Sequence, residues 1–253
     1  MDLSSSNKKT LAIELVLFIT VVTSFMLFWE STLLASGLIF LIVIIGFIFF
    51  HSKEDIVFFV IGMILGTVGE IICTHFNIWT YFNPSLLGVT LWVPMVWGFA
   101  FLFARRIRDT FFKLTHIQIH YEHHSRLPHQ VTILFLDLLL YLTTTIVTLF
   151  LWETNIALTL VLTFMLILSL LKFHKRADFF FIILAMIIGT IVEIIATHIG
   201  VWEHGNQYIF KIPLWIPALY GLFALIVRRT SITVNRLLFS KHDGLQKPVD
   251  RVN

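Results

Sequence analysis

Apolar residues fall in eight long runs separated by short polar breaks. The runs are roughly 10–28, 31–50, 56–76, 86–104, 131–151, 155–173, 179–199 and 210–227. Within each run the apolar positions are continuous rather than alternating, which predicts helices and not barrel strands. Each run approaches the ~20 residues a helix needs to cross a bilayer. The pattern predicts an all-α integral membrane protein of eight transmembrane helices.

The runs repeat. Trp29-Glu30 recurs as Trp152-Glu153, and the pairs Glu70/Glu193, Thr74/Thr197, His75/His198, Trp79/Trp202, Trp92/Trp215 and Pro94/Pro217 share one constant offset of 123 positions. Self-similarity at a fixed period marks a duplicated structural unit. The chain therefore divides into a first four-helix repeat (1–106), a basic linker rich in His (107–130), a second four-helix repeat (131–230) and a tail (231–253). An even number of helices per unit makes the two repeats parallel, related by a pseudo-twofold axis along the membrane normal.

Charge sets the orientation. In an eight-helix topology every Lys and Arg except Lys211 falls on one side. The positive-inside bias then puts both termini and the linker in the cytoplasm. It also accounts for the sequence pI of about 9.1 without nucleic acid. Composition agrees: 58% of residues are hydrophobic and only 13% charged, against about 25% charged in soluble domains. Cys73 is the only cysteine, so no intrachain disulfide forms. MDLSSSNKK leads into the first run with no small-residue cleavage site, so that run reads as a retained anchor. The setting is an inner membrane of bacterial type.

Between positions 31 and 49 only Ile44 matches its partner, whereas fifteen positions match between 62 and 98. The constraint therefore acts on the third helix, the loop after it and the fourth helix. Gly62, Gly66, Glu70 and Thr74 are spaced four apart and share one helix face. Small residues at this spacing admit a neighbouring helix closely. Glu70 lies fifteen residues after Asp55, the expected N-cap, or about 22 Å along the axis, in the outer half of the bilayer. A carboxylate there costs up to ~2.5–3.5 kcal/mol unless something offsets it. Pro94 and Pro217, inside LWVPMVWG and LWIPALYG, are expected to kink the fourth and eighth helices and free the Thr90 and Pro213 carbonyls.

These residues define a candidate substrate or proton site: Glu70, Thr74, His75, Trp79, Trp92 and Pro94, with Glu193, Thr197, His198, Trp202, Trp215 and Pro217. Tyr81 and Asn83 join its lining, with His204 and Asn206 in the second copy. A Glu70 hydrogen bond to Trp92 or to a freed carbonyl is expected, while Trp79 and Trp202 fit an interfacial aromatic belt. His116, His120, His123 and His124 carry spacings that suit metal ligation. They stand in one linker without the ligands from other segments that a di-iron site needs, so the linker reads as a basic amphipathic surface segment. No phosphate-binding Gly-Lys loop, HExxH or G-x-S-x-G stretch occurs.

The leading functional reading is binding or transport of an amphipathic or lipid-like molecule at an outer-half site built on the paired Glu residues. An alternative is an intramembrane enzyme acting on an isoprenoid or lipid, with Glu as general acid and His75 or His198 as its partner. A third is a non-catalytic membrane scaffold. The partners expected are membrane lipid and such a small molecule. The sequence names no cofactor and no oligomeric state.

Overall fold

The computed structural model describes residues 3–49, 52–115, 127–173 and 176–243. Among them the chain forms α1 (Leu3–Phe28), α2 (Thr32–Phe49), α3 (Lys53–His75), β1 (Trp79–Tyr81), α4 (Val93–Leu114), α5 (Leu127–Leu151), α6 (Asn155–Phe173), α7 (Arg176–Ile199), β2 (Trp202–His204) and α8 (Ile216–Asp243). Among the described residues five helices are long and apolar enough to cross a membrane: Lys8–Phe28, Thr32–Phe49, Lys53–His75, His129–Leu151 and Phe179–Ile199. The His116–His124 cluster lies outside the described residues.

α4 and α8 depart from expectation. α4 begins at Val93, not near 86, and runs on to Leu114. α8 continues to Asp243, through residues read as tail. The apolar part of α4, from Val93 to Ala104, is only about 18 Å long before Arg105 and Arg106 enter. These two helices form the centre of the bundle. α3 packs along α4 and α7 along α8, with α3 also meeting α8 and α4 meeting α7.

Pro94 does not kink a helix. It stands in the first turn of α4, where its fixed φ and missing N–H fit without loss. Pro217 holds the same place in α8. The carbonyls expected to be free are in use: Thr90 O accepts from Val93 N at 3.1 Å and Pro213 O from Ile216 N at 3.3 Å.

The small-residue face of α3 receives α4. A Cβ at Gly62 would lie 2.9 Å from Phe101 Cδ2, and one at Gly66 would run into the Trp97 side chain. Gly189 of α7 meets Tyr220 of α8 in the same way. Small residues thus bring aromatic side chains of α4 and α8 over the backbone beside each Glu.

The α3 N-cap is Ser52, whose side chain accepts the Asp55 amide at 3.1 Å. Asp55 is instead buried in an ion-pair cluster with Arg105 and with Arg106, the latter at 2.6 Å. Arg105 also pairs with Glu54, and Arg106 approaches Glu14 at 3.9 Å. Asp137, 123 positions after Glu14, pairs with Arg229 at 2.8 Å. These arginines, read from sequence as topology charges, tie α1 and α3 to α4, and α5 to α8. The cluster occupies the end of the bundle opposite β1 and β2.

At the other end each loop turns twice through left-handed backbone. Asn77 (φ 56°) and Gly200 (φ 85°) end α3 and α7, a position that favours Gly and tolerates Asn. Leu87-Gly88 and Phe210-Lys211 have two successive positive φ angles, inside tight turns closed by Leu86↔Val89 and Ile209↔Ile212. β1 then pairs antiparallel with β2, in the register Trp79↔His204, Thr80↔Glu203, Tyr81↔Trp202. Thr80 thus faces its own 123-offset counterpart Glu203, while Trp79 and Tyr81 face each other's counterparts.

Candidate functional site

Glu70 comes from the last turns of α3, and its carboxylate is buried. Three donors converge on it. Trp79 Nε1 donates to Oε2 at 2.6 Å and the Tyr81 hydroxyl to Oε2 at 2.9 Å, both from β1. Trp97 Nε1 of α4 donates to Oε1 at 3.0 Å. Glu193 on α7 has the corresponding set: Trp202 Nε1 at 2.7 Å, His204 Nε2 at 3.1 Å and the Tyr220 hydroxyl at 2.8 Å. Three hydrogen bonds to each buried carboxyl group offset the cost of its burial.

The two halves meet in one cluster. Trp97 and Tyr220 stack with ring centroids 5.8 Å apart. Tyr81 lies edge-on to Trp202 at 5.6 Å, and Trp79 edge-on to His204 at 5.7 Å. Two cavities adjoin here, and Glu70, Glu193, Trp97 and Tyr220 line both. The larger, about 100 Å³, lies between α1, α4 and α7. The smaller, about 70 Å³, lies between α3, α5 and α8.

The remaining expected residues divide. Thr74 and Thr197 are buried, and their hydroxyls donate to the Glu70 and Glu193 carbonyls at 2.9 Å. They hold the helix turn beneath each carboxylate. His75 and His198 are exposed, and neither reaches a Glu. His75 lies edge-on to Phe76, and His198 Nδ1 sits 2.7 Å from the Ile194 carbonyl. Spacing explains this: five residues on from Glu70 is about 140° around the helix. Asn83 and Asn206 also leave the site, binding the Glu30 carbonyl at 2.7 Å and the Trp152 carbonyl at 3.1 Å.

The tryptophans exchange roles. Trp79 and Trp202, candidate site residues that also fit a belt, are buried donors to the carboxylates. Trp92, expected to bond Glu70, and its counterpart Trp215 are buried with no partner for the indole N–H among the described residues. Trp92 stacks on Phe25 at 4.9 Å and lines the larger cavity. Sequence reasoning missed Trp97 and Tyr220. Their signal was an aromatic at the same position of both Pro motifs, differing in identity.

Apolar helices enclosing a buried polar centre define a polytopic membrane protein. Among solved structures the chain is similar to a mycobacterial Insig homolog, MvINS from Mycobacterium vanbaalenii, and to a cross-linked MvINS trimer. Each match has a TM-score of 0.61 at 15% sequence identity and covers 74% of this chain and 96% of that one. The likeness is one of fold. No family model and no curated protein matches the chain.

Proposed function

We propose that this protein binds, and by binding moves or presents, an amphipathic or lipid-like molecule at the paired Glu70–Glu193 centre. The carrying observation is that both carboxylates, each held by three donors, line both cavities of an otherwise apolar bundle. Intramembrane ionisable groups that face the protein interior mark substrate or ion sites. In this reading all eight helices lie in the membrane as two parallel four-helix repeats (1–106 and 131–230), and the symmetric β1–β2 register marks the pseudo-twofold axis. The linker, the tail and both termini lie on the cytoplasmic side of a bacterial inner membrane, with the site in the outer half.

The acid–base reading keeps one specific support. His204 approaches Glu193 at 3.1 Å where the first half has Tyr81, so any such chemistry belongs to the second half alone. His204→Tyr would then abolish turnover of a lipid substrate but leave binding intact.

The binding reading is tested with cetyl alcohol in detergent, following quenching of the site tryptophans by a brominated analogue. Glu70→Gln and Glu193→Gln are each expected to weaken binding about tenfold. A folded double variant that binds like wild type would overturn the proposal.

A further inference from the structure

The two cavities are related by the 123-residue offset, yet their walls differ in chemistry. On the larger one α1 contributes Phe18, Val21, Val22 and Phe25. At the corresponding positions of the smaller one α5 contributes Tyr141, Thr144, Thr145 and Thr148. Four apolar side chains are thus replaced by four hydroxyls. Space changes too. Gly69 lines the smaller cavity where Val192 lines the larger, and a Cβ at Gly69 would lie 3.4 Å from the Tyr141 hydroxyl.

Donor accounting sets what this wall can bind. Thr144, Thr145 and Thr148 donate to the carbonyls of Leu140, Tyr141 and Thr144 at 2.8, 3.0 and 2.9 Å. Tyr141 donates to the Leu65 carbonyl at 2.8 Å. Trp79, Trp97 and Tyr220 are committed to the carboxylates. Each hydroxyl keeps acceptor lone pairs, as do the two Glu side chains. Among the lining residues other than the two Glu, the weak Cys73 thiol is the one uncommitted side-chain donor. A guest that only accepts hydrogen bonds finds almost nothing to bond; a guest that donates finds several acceptors.

We infer that the α3–α5–α8 cavity is a head-group subsite for the hydrogen-bond-donating end, a hydroxyl or an ammonium, of an amphipathic ligand; this rests on the ligand-binding reading above. A volume of about 70 Å³ holds such a head but not its chain, so the chain leaves the cavity. α5 packs along α8 and meets α3 through the Tyr141–Leu65 hydrogen bond, and in this reading the chain leaves between α3 and α5 beside that bond. The α1-walled cavity carries Phe18 and Phe25 in place of that hydroxyl wall, beside a Trp92 indole N–H without a partner among the described residues, so it lacks the same preference for a donating head.

The test uses the purified full-length chain and three probes with one tail: cetyl alcohol, cetylamine and cetyl methyl ether. The ether keeps the oxygen but has no donor. The alcohol or the amine should bind about tenfold more tightly than the ether, and which of them leads tells hydroxyl from ammonium. Thr144→Val with Thr148→Val, near-isosteric and in a helix, should remove most of that preference while ether binding stays the same. Ether binding equal to that of both donors in wild-type protein would overturn the subsite and leave the Glu-centred binding reading standing. Absence of binding by all three would overturn both.

Discussion

A carboxylate buried among donors is sensitive to which of its atoms can accept. Glu70 accepts on both oxygens. Gln at this position turns one acceptor into an NH₂ that faces an N–H or O–H donor. Glu70→Gln should therefore destabilise the protein by about 1–3 kcal/mol, the cost of stranding a buried donor. Thermal unfolding in detergent measures this, and an unchanged midpoint would show that the three donors do not hold the side chain. Tyr220→Phe is a cleaner deletion, because it removes only the hydroxyl given to Glu193. It should cost about 1.5–3 kcal/mol, while Tyr208→Phe, at an exposed loop position, should stay within about 0.5 kcal/mol of wild type. Glu70 and Glu193 were legible in the sequence because a charge in an apolar run needs a reason. Trp97 and Tyr220 were not, because an aromatic in an apolar helix is ordinarily packing, and no single sequence shows where an indole N–H points. Trp79 and Trp202 carried two readings, site lining and interfacial belt, for the same reason. Their position next to the loop fits a belt, and only the fold turns them inward.

At the scale of elements, glycine decides how near α4 comes to α3. Gly66→Ala would push a methyl group into the Trp97 ring. Overpacking of this kind costs about 1–3 kcal/mol, and it should also move Trp97 away from Glu70, visible as a shift in tryptophan emission. Gly37→Ala in α2 is the control. Nothing lies within 4 Å of a Cβ there, so the change should stabilise the helix by about 0.5–1 kcal/mol. Equal effects at the two sites would contradict the packing described. The four-residue spacing of Gly62, Gly66, Glu70 and Thr74 made this face readable in advance. The starts of α4 and α8 were not readable, since apolar loop residues such as Leu86, Leu87 and Val89 extend the apolar run beyond the helix. Pro94 inside that run then looked like a kink, although a Pro in the first helical turn is equally regular.

The two halves of the molecule are joined by β1 and β2, at the end of the bundle opposite the arginine cluster. Thr80 and Glu203 are exposed and directly opposite each other, at a Cα separation of about 5.5 Å, which a disulfide can bridge. In a variant with Thr80→Cys and Glu203→Cys, oxidation should lock the two halves together. Cleavage at a protease site placed in the linker would then release them only under reducing conditions. Two separate fragments without reductant would contradict the register. The 123-residue offset was plain in the sequence, but not how the copies meet. Strands of three residues, WTY and WEH, carry no periodicity that could announce a pairing across more than a hundred residues. The ion pairs at the opposite end were also hidden: Glu14 and Asp137 correspond in position, but with different acidic residues. The central claim is that the copies join to make one ligand centre from two carboxylates. Cetyl alcohol binding to wild type, Glu70→Gln, Glu193→Gln and the double variant tests it most directly. Each single change should weaken binding about tenfold, and the double change should fall short of the hundredfold expected of independent sites, since neighbours couple. Wild-type affinity in the folded double variant would contradict the account.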